Sequence, residues 1–153
     1  NCGPGEFVQS GSYLDEIRIS GVCRYPDGTT FTPNSITNTS ATGTATSTAN
    51  TALTAPTTGD ILLLMENAAG TATLNTAGND LRCAISRNGG TGWDYVTLVD
   101  KGSWGTNKKI LTANNVAFSN SASGTDMRYK IEWANQASGS KETRVHATSL
   151  AWA

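Results

Sequence analysis

Apolar and polar residues alternate along the last third of the chain. In 126–136, DMRYKIEWANQ, Met127, Tyr129, Ile131 and Trp133 share one face, and Arg128, Lys130 and Glu132 share the other. A period of two is the pattern of a half-buried antiparallel strand. The same rule applied to 141–153 sets Val145, Ala147, Ser149 and Ala151 against His146, Thr148, Leu150 and Trp152. Upstream, Asp60 to Glu66 is nearly continuously apolar and predicts a central strand buried on both faces. Leu81 to Arg87 predicts another strand, NGGTG a turn after it, and Trp93 to Val99 its hairpin partner. Lys108 to Ala113 and Val116 to Phe118 are two further strands, and SASGTD is a loop. About eight strands with no apolar stripe at helical spacing predict an all-β protein. The expected fold is an antiparallel β-sandwich, jelly-roll-like, without substantial helix.

The first third reads differently. Tyr13 to Ile19 predicts a strand, and Pro26 to Gly28 a turn. Residues 34–58 are nearly all Thr, Ser, Ala and Asn. Low complexity suits a flexible linker, whereas alternating Thr at 42, 44, 46 and 48 suits an edge strand. The division adopted is a terminal segment at 1–33, a linker at 34–38 and a β-sandwich domain at 39–153. Its first, Thr-rich strand lies near 39–50, and Pro56 closes that region.

Composition narrows function more than fold. Sixteen Gly and only 15% charged residues suit short strands and many turns. A net charge of −1 gives no electrostatic footprint for nucleic acid or an anionic membrane. The run from Ile61 to Met65 is far too short to span a bilayer. Residues 1–12 lack the basic and apolar regions of a signal peptide, so the expectation is a mature or excised piece. The three cysteines, Cys2, Cys23 and Cys83, form neither a disulfide framework nor a zinc knuckle. Alternation puts Cys83 on a core face as an inert thiol, and pairing of Cys2 with Cys23 stays open.

Catalytic chemistry finds little support. The single histidine, His146, lies on the polar face of the last strand, as a surface or strand-pairing residue would. Asp15 and Glu16 are adjacent on a strand and point to opposite faces, and nothing converges the remaining carboxylates as a glycosidase requires. Asp27 and Asp100 beside turns are more simply turn residues than calcium ligands. No catalytic residue, cofactor or metal is expected. Aromatic rings supply the candidate ligand surface: Trp93, Tyr95 and Trp104 lie in or beside loops, where rings can stack on sugars. Trp133 and Trp152 are expected to pack or to seal an interface.

Two stretches carry resemblances. Residues 13–33, YLDEIRISGVCRYPDGTTFTP, resemble the closing motif of concanavalin A-like (laminin-G-like) jelly-roll domains carried by phages, through Leu14 to Ile19, Gly21, Val22, Arg24, Tyr25 and Phe31 to Pro33. Residues 56–153 resemble a C-terminal β-sandwich of phage tail-fibre and virion structural proteins. The matching pieces are PTTGDILLLMENAAGTATLNT, CAISRNGGTGW, SGTDMRYKIEWANQ and KETRVHATSLAWA. This resemblance implies a non-catalytic virion component, a tail fibre or similar appendage, located on the particle. Such appendages are usually trimers, so it also implies a homotrimer that contacts other virion proteins and a host-surface glycan. The competing expectations are a carbohydrate-binding module of a larger secreted protein and a capsid decoration protein.

Overall fold

The computed structural model describes residues 40–153, and they form an all-β sandwich of two antiparallel sheets. The terminal segment 1–33, its strand and turn, Cys2, Cys23, Asp27 and the linker 34–38 lie outside the described residues. Nine strands follow in order: β1 (Ala41–Thr46), β2 (Asn50–Thr51), β3 (Thr58–Ala69), β4 (Leu81–Ser86), β5 (Asp94–Tyr95), β6 (Val99–Gly105), β7 (Lys108–Ala117), β8 (Asp126–Gln136) and β9 (Glu142–Trp152). The first sheet runs β1-β8-β4-β5, with β2 also paired to β8, and the second runs β6-β7-β3-β9.

Alternation built the core as the residues dictate. Ile61, Leu63 and Met65 of β3, Leu81, Cys83 and Ile85 of β4, and Met127 and Ile131 of β8 are buried between the sheets. Burial removes the Cys83 thiol from water and pushes its pKa up to about 12, so it stays protonated and inert. Val96 and Leu98 seal the core where the chain passes from the first sheet to the second.

Four expectations are corrected. β3 is central, but only one of its faces is buried, because Leu62 and Leu64 point outward and stay half-covered. The stretch 93–99 is not one hairpin strand: β5 keeps two residues and Val99 already belongs to β6 in the other sheet. The two strands expected at 108–118 are the single β7. It contains a register shift opposite Gly59 and Ile61, where Asn115 takes a positive φ of 55°. In β9 the alternation breaks at His146: Met65 faces Val145, but Leu64 faces Ala147. This one-residue bulge reverses the phase, so Val145 and Leu150 both pack against the core, while Ala147, Ser149 and Ala151 are exposed.

Candidate functional site

The aromatic residues picked out by the sequence separate onto the two sheets. Trp93 immediately precedes β5, and Tyr95 lies in it, at the edge of the first sheet. Trp104 is in β6, at the edge of the second. Trp93 and Tyr95 therefore share a site and Trp104 does not.

The first site is assembled by strand register. Tyr95 and Lys130 both lie beside Ala84, one on each flanking strand, and Arg82 lies beside Glu132. Ala84 faces outward yet is fully buried, because the residues above it cover it. Tyr95 donates its hydroxyl proton toward Glu132 Oε1 at 3.1 Å and accepts from Lys130 Nζ at 3.0 Å. Lys130 also pairs with Glu132 at 2.9 Å, and Arg82 forms an ion pair with the same carboxylate. The Arg82 guanidinium lies 4.2 Å from the Tyr95 ring centroid, and Lys130 lies 4.8 Å from that of Trp93. Burial alone would raise the Glu132 pKa, but hydrogen bonds from Lys130, Tyr95 and Arg82 outweigh it and hold the carboxyl below its ordinary value. Tyr95 is 43% exposed and fixed in orientation. Trp93 is more enclosed, held between Lys130 and the backbone of Gly90.

The turn beneath this platform is tightly built. The Ser86 hydroxyl donates to Asn88 Oδ1 and accepts from Gly90 N, and Asn88 Oδ1 accepts from Gly92 N at 2.9 Å. A Cβ on Gly92 would lie 2.4 Å from the backbone oxygen of Asn120. Gly92→Ala is therefore expected to cost about 1–3 kcal/mol, as overpacking against backbone does. A urea titration checks this. Next to it, Asp94, only 3% exposed, accepts from the backbone N–H groups of Ser119, Asn120 and Ser121 and from the Ser121 hydroxyl. This carboxylate anchors the 119–121 loop directly behind the two aromatic residues.

Around Trp104 the arrangement differs. His146, displaced outward by the bulge, hydrogen-bonds Glu66 at 2.6 Å and meets the Trp104 ring edge-on at a centroid distance of 5.3 Å. Lys108 lies 4.6 Å from the Trp104 ring centroid. The His146 hydrogen bond is the main cause holding the Glu66 pKa down. Trp104 is 38% exposed and sits in a strand rather than a loop.

Trp133 packs against the core from β8, and Trp152 lies exposed at the end of β9. Asp100 pairs with Lys109 at 2.9 Å and accepts from Gly102 N. Among the described residues no group of three or more His, Cys, Asp or Glu could hold a metal ion.

Sequence reasoning missed Arg82, Lys130 and Glu132 as site residues, although alternation had already placed Lys130 and Glu132 on an outward face. The missing information was the β8-β4-β5 order. No family model, no curated protein and no solved structure matches this chain.

Proposed function

We propose that the chain is a structural component of a phage virion, a tail fibre or similar appendage, that assembles as a homotrimer and contacts host-surface glycan without cleaving it. The observation that carries this reading is the division of labour between the two outer faces. On the second sheet, the outward Leu62 is flanked by Thr112 and Ser149, and the outward Leu64 by Ile110 and Ala147. Leu62, Leu64 and Ile110 are half-covered within one chain and Ala147 is exposed, and copies of the same chain would bury them. On the first sheet, an exposed tyrosine set in a fixed charge network offers a ring for stacking and hydrogen-bonding groups for sugar hydroxyls. The sequence resemblance to virion appendage domains supports the same reading.

The pKa shifts of carboxyl groups among the described residues support binding without turnover. Glu66, Asp80, Asp94, Asp100, Asp126, Glu132 and Glu142 are all held below their ordinary pKa. A glycosidase acid needs the opposite shift, a carboxyl kept protonated near neutral pH. A carbohydrate-binding module of a larger secreted protein would use the same tyrosine face. The apolar face of the second sheet favours self-assembly over that alternative.

The test is binding to an array of bacterial surface polysaccharides. Tyr95→Ala is expected to weaken binding at least about tenfold, equivalent to ~1.4 kcal/mol, and to release no reducing ends. Binding unchanged by Tyr95→Ala would remove this face from the account.

A further inference from the structure

A groove of about 610 Å³ lies between β1 and the start of β9, on the far side of the domain's strand order from Tyr95. We infer that it is a second glycan site, which takes a short neutral oligosaccharide against Trp133. The inference deepens the glycan-binding reading and rests on it.

Register creates the groove. Gly43 of β1 is the cross-strand partner of Trp133 on β8. A Cβ built on Gly43 would meet nothing within 4 Å, so this edge leaves open space where a side chain would lie next to the tryptophan. Ala41, the neighbouring lining residue of β1, is also small. Every residue of β1 is exposed, including Gly43 and Ala45, whose register matches the core-facing residues of β8. Among the described residues no strand lies beneath this edge of the first sheet.

The lining suits a sugar. Gln136, Thr143 and Arg144 join Trp133 along the groove. Thr143 is 8% exposed, and its buried hydroxyl has no hydrogen-bond partner among the described residues. That oxygen is itself shielded from solvent, so the polar contacts open to a ligand are those of Gln136 and Arg144. The groove is open and shallow, so a ligand would lie along it rather than be enclosed. Aromatic surface mixed with amide, hydroxyl and guanidinium groups fits sugar rings better than an aliphatic ligand. The charges are already compensated, since Arg144 pairs with Glu142 at 3.1 Å and Lys141 with Asp80 at 2.9 Å. That balance points to a neutral chain.

The experiment uses the full chain labelled with 5-fluorotryptophan at its four tryptophans. The probe is a set of neutral oligosaccharides released from bacterial surface polysaccharide. Titration is expected to shift the Trp133 resonance in the wild type and in Tyr95→Ala. Gly43→Leu is expected to abolish that shift while leaving the urea midpoint at or above the wild-type value, because the new side chain enters open space in a strand. Trp133→Ala should also lose binding, but it removes core packing, so Gly43→Leu is the decisive variant. A Trp133 resonance that stays fixed while binding sensitive to Tyr95→Ala persists would overturn the groove and keep the reading it rests on. A Trp133 shift that persists in Gly43→Leu would also overturn the groove. Failure of every oligosaccharide to bind the wild type would overturn both.

Discussion

Asp94→Ala is expected to destabilise the domain by about 2–4 kcal/mol, one of the two largest effects foreseen. The carboxylate is buried and receives five hydrogen bonds, from Ser119 N, Asn120 N, Ser121 N, Ser121 Oγ and Ser119 Oγ, at 2.9, 2.7, 3.1, 2.8 and 3.5 Å. Removing it strands donors that are expensive to leave unpaired, at ~1–3 kcal/mol for each one that water cannot reach. Ser119 and Asn120 are exposed and water can satisfy them, whereas Ser121 is buried and keeps the full penalty. Asp94→Asn retains one acceptor oxygen and should lose less than Asp94→Ala. Urea unfolding with an unchanged slope measures both. A loss below about 1 kcal/mol for Asp94→Ala would show that the 119–121 loop does not depend on this anchor. Because the loop lies behind Trp93 and Tyr95, glycan binding should weaken with it even at temperatures where the domain stays folded.

The second large effect is acid lability centred on Asp80. Burial pushes its pKa up, but hydrogen bonds from the Thr73 backbone, Lys141, the Thr73 hydroxyl and Asn135 bring it down to about 2, against 3.8 for a free side chain. Its oxygens accept from Thr73 N at 2.8 Å and from Lys141 Nζ at 2.9 Å. A depressed folded-state pKa means the unfolded chain binds the proton more tightly. The stabilisation is complete above the unfolded value and disappears as pH falls through about 4 toward 2. It amounts to ~2 kcal/mol. Wild type should therefore lose stability over that window, and Asp80→Asn should start lower and lose correspondingly less. Parallel wild-type and variant curves from pH 7 to pH 2 would show that Asp80 is not what titrates. The same carboxylate fixes Lys141, so the variant should also loosen the hairpin that borders the Trp133 groove.

Much of the sandwich was readable from alternation, because where one face is buried a strand must repeat every two residues. The inward set of β8 and the buried Cys83 both follow from that rule. It failed in β9 because a single bulged residue at His146 reverses the phase without leaving a compositional mark. It failed at 93–99 because Val96 and Leu98 alternate with Thr97 as a strand would, although they fill the core from a segment crossing between sheets. It overstated the burial of β3, since Leu62 and Leu64 are apolar for an outward face that one chain leaves half-covered.

The candidate sites were legible as residue types and illegible as places. Trp93, Tyr95 and Trp104 stood out as aromatics near turns, but sheet membership separates Trp104 from the other two. Arg82 and Glu132 are fifty positions apart and meet only through the β4-β8 register. Gly43 and Trp133 are paired the same way, by a long-range register that no local pattern encodes.

The most direct test of the central claim is the mass of residues 1–153 in solution by multi-angle light scattering. A self-assembling appendage with its contact on the outer face of the second sheet should run as a trimer, three times the 16.0 kDa chain mass. Leu64→Glu should reduce it to a monomer while leaving the strand signal in circular dichroism intact. A wild-type chain that stays monomeric at high concentration would contradict the account, as would a trimer indifferent to Leu64→Glu.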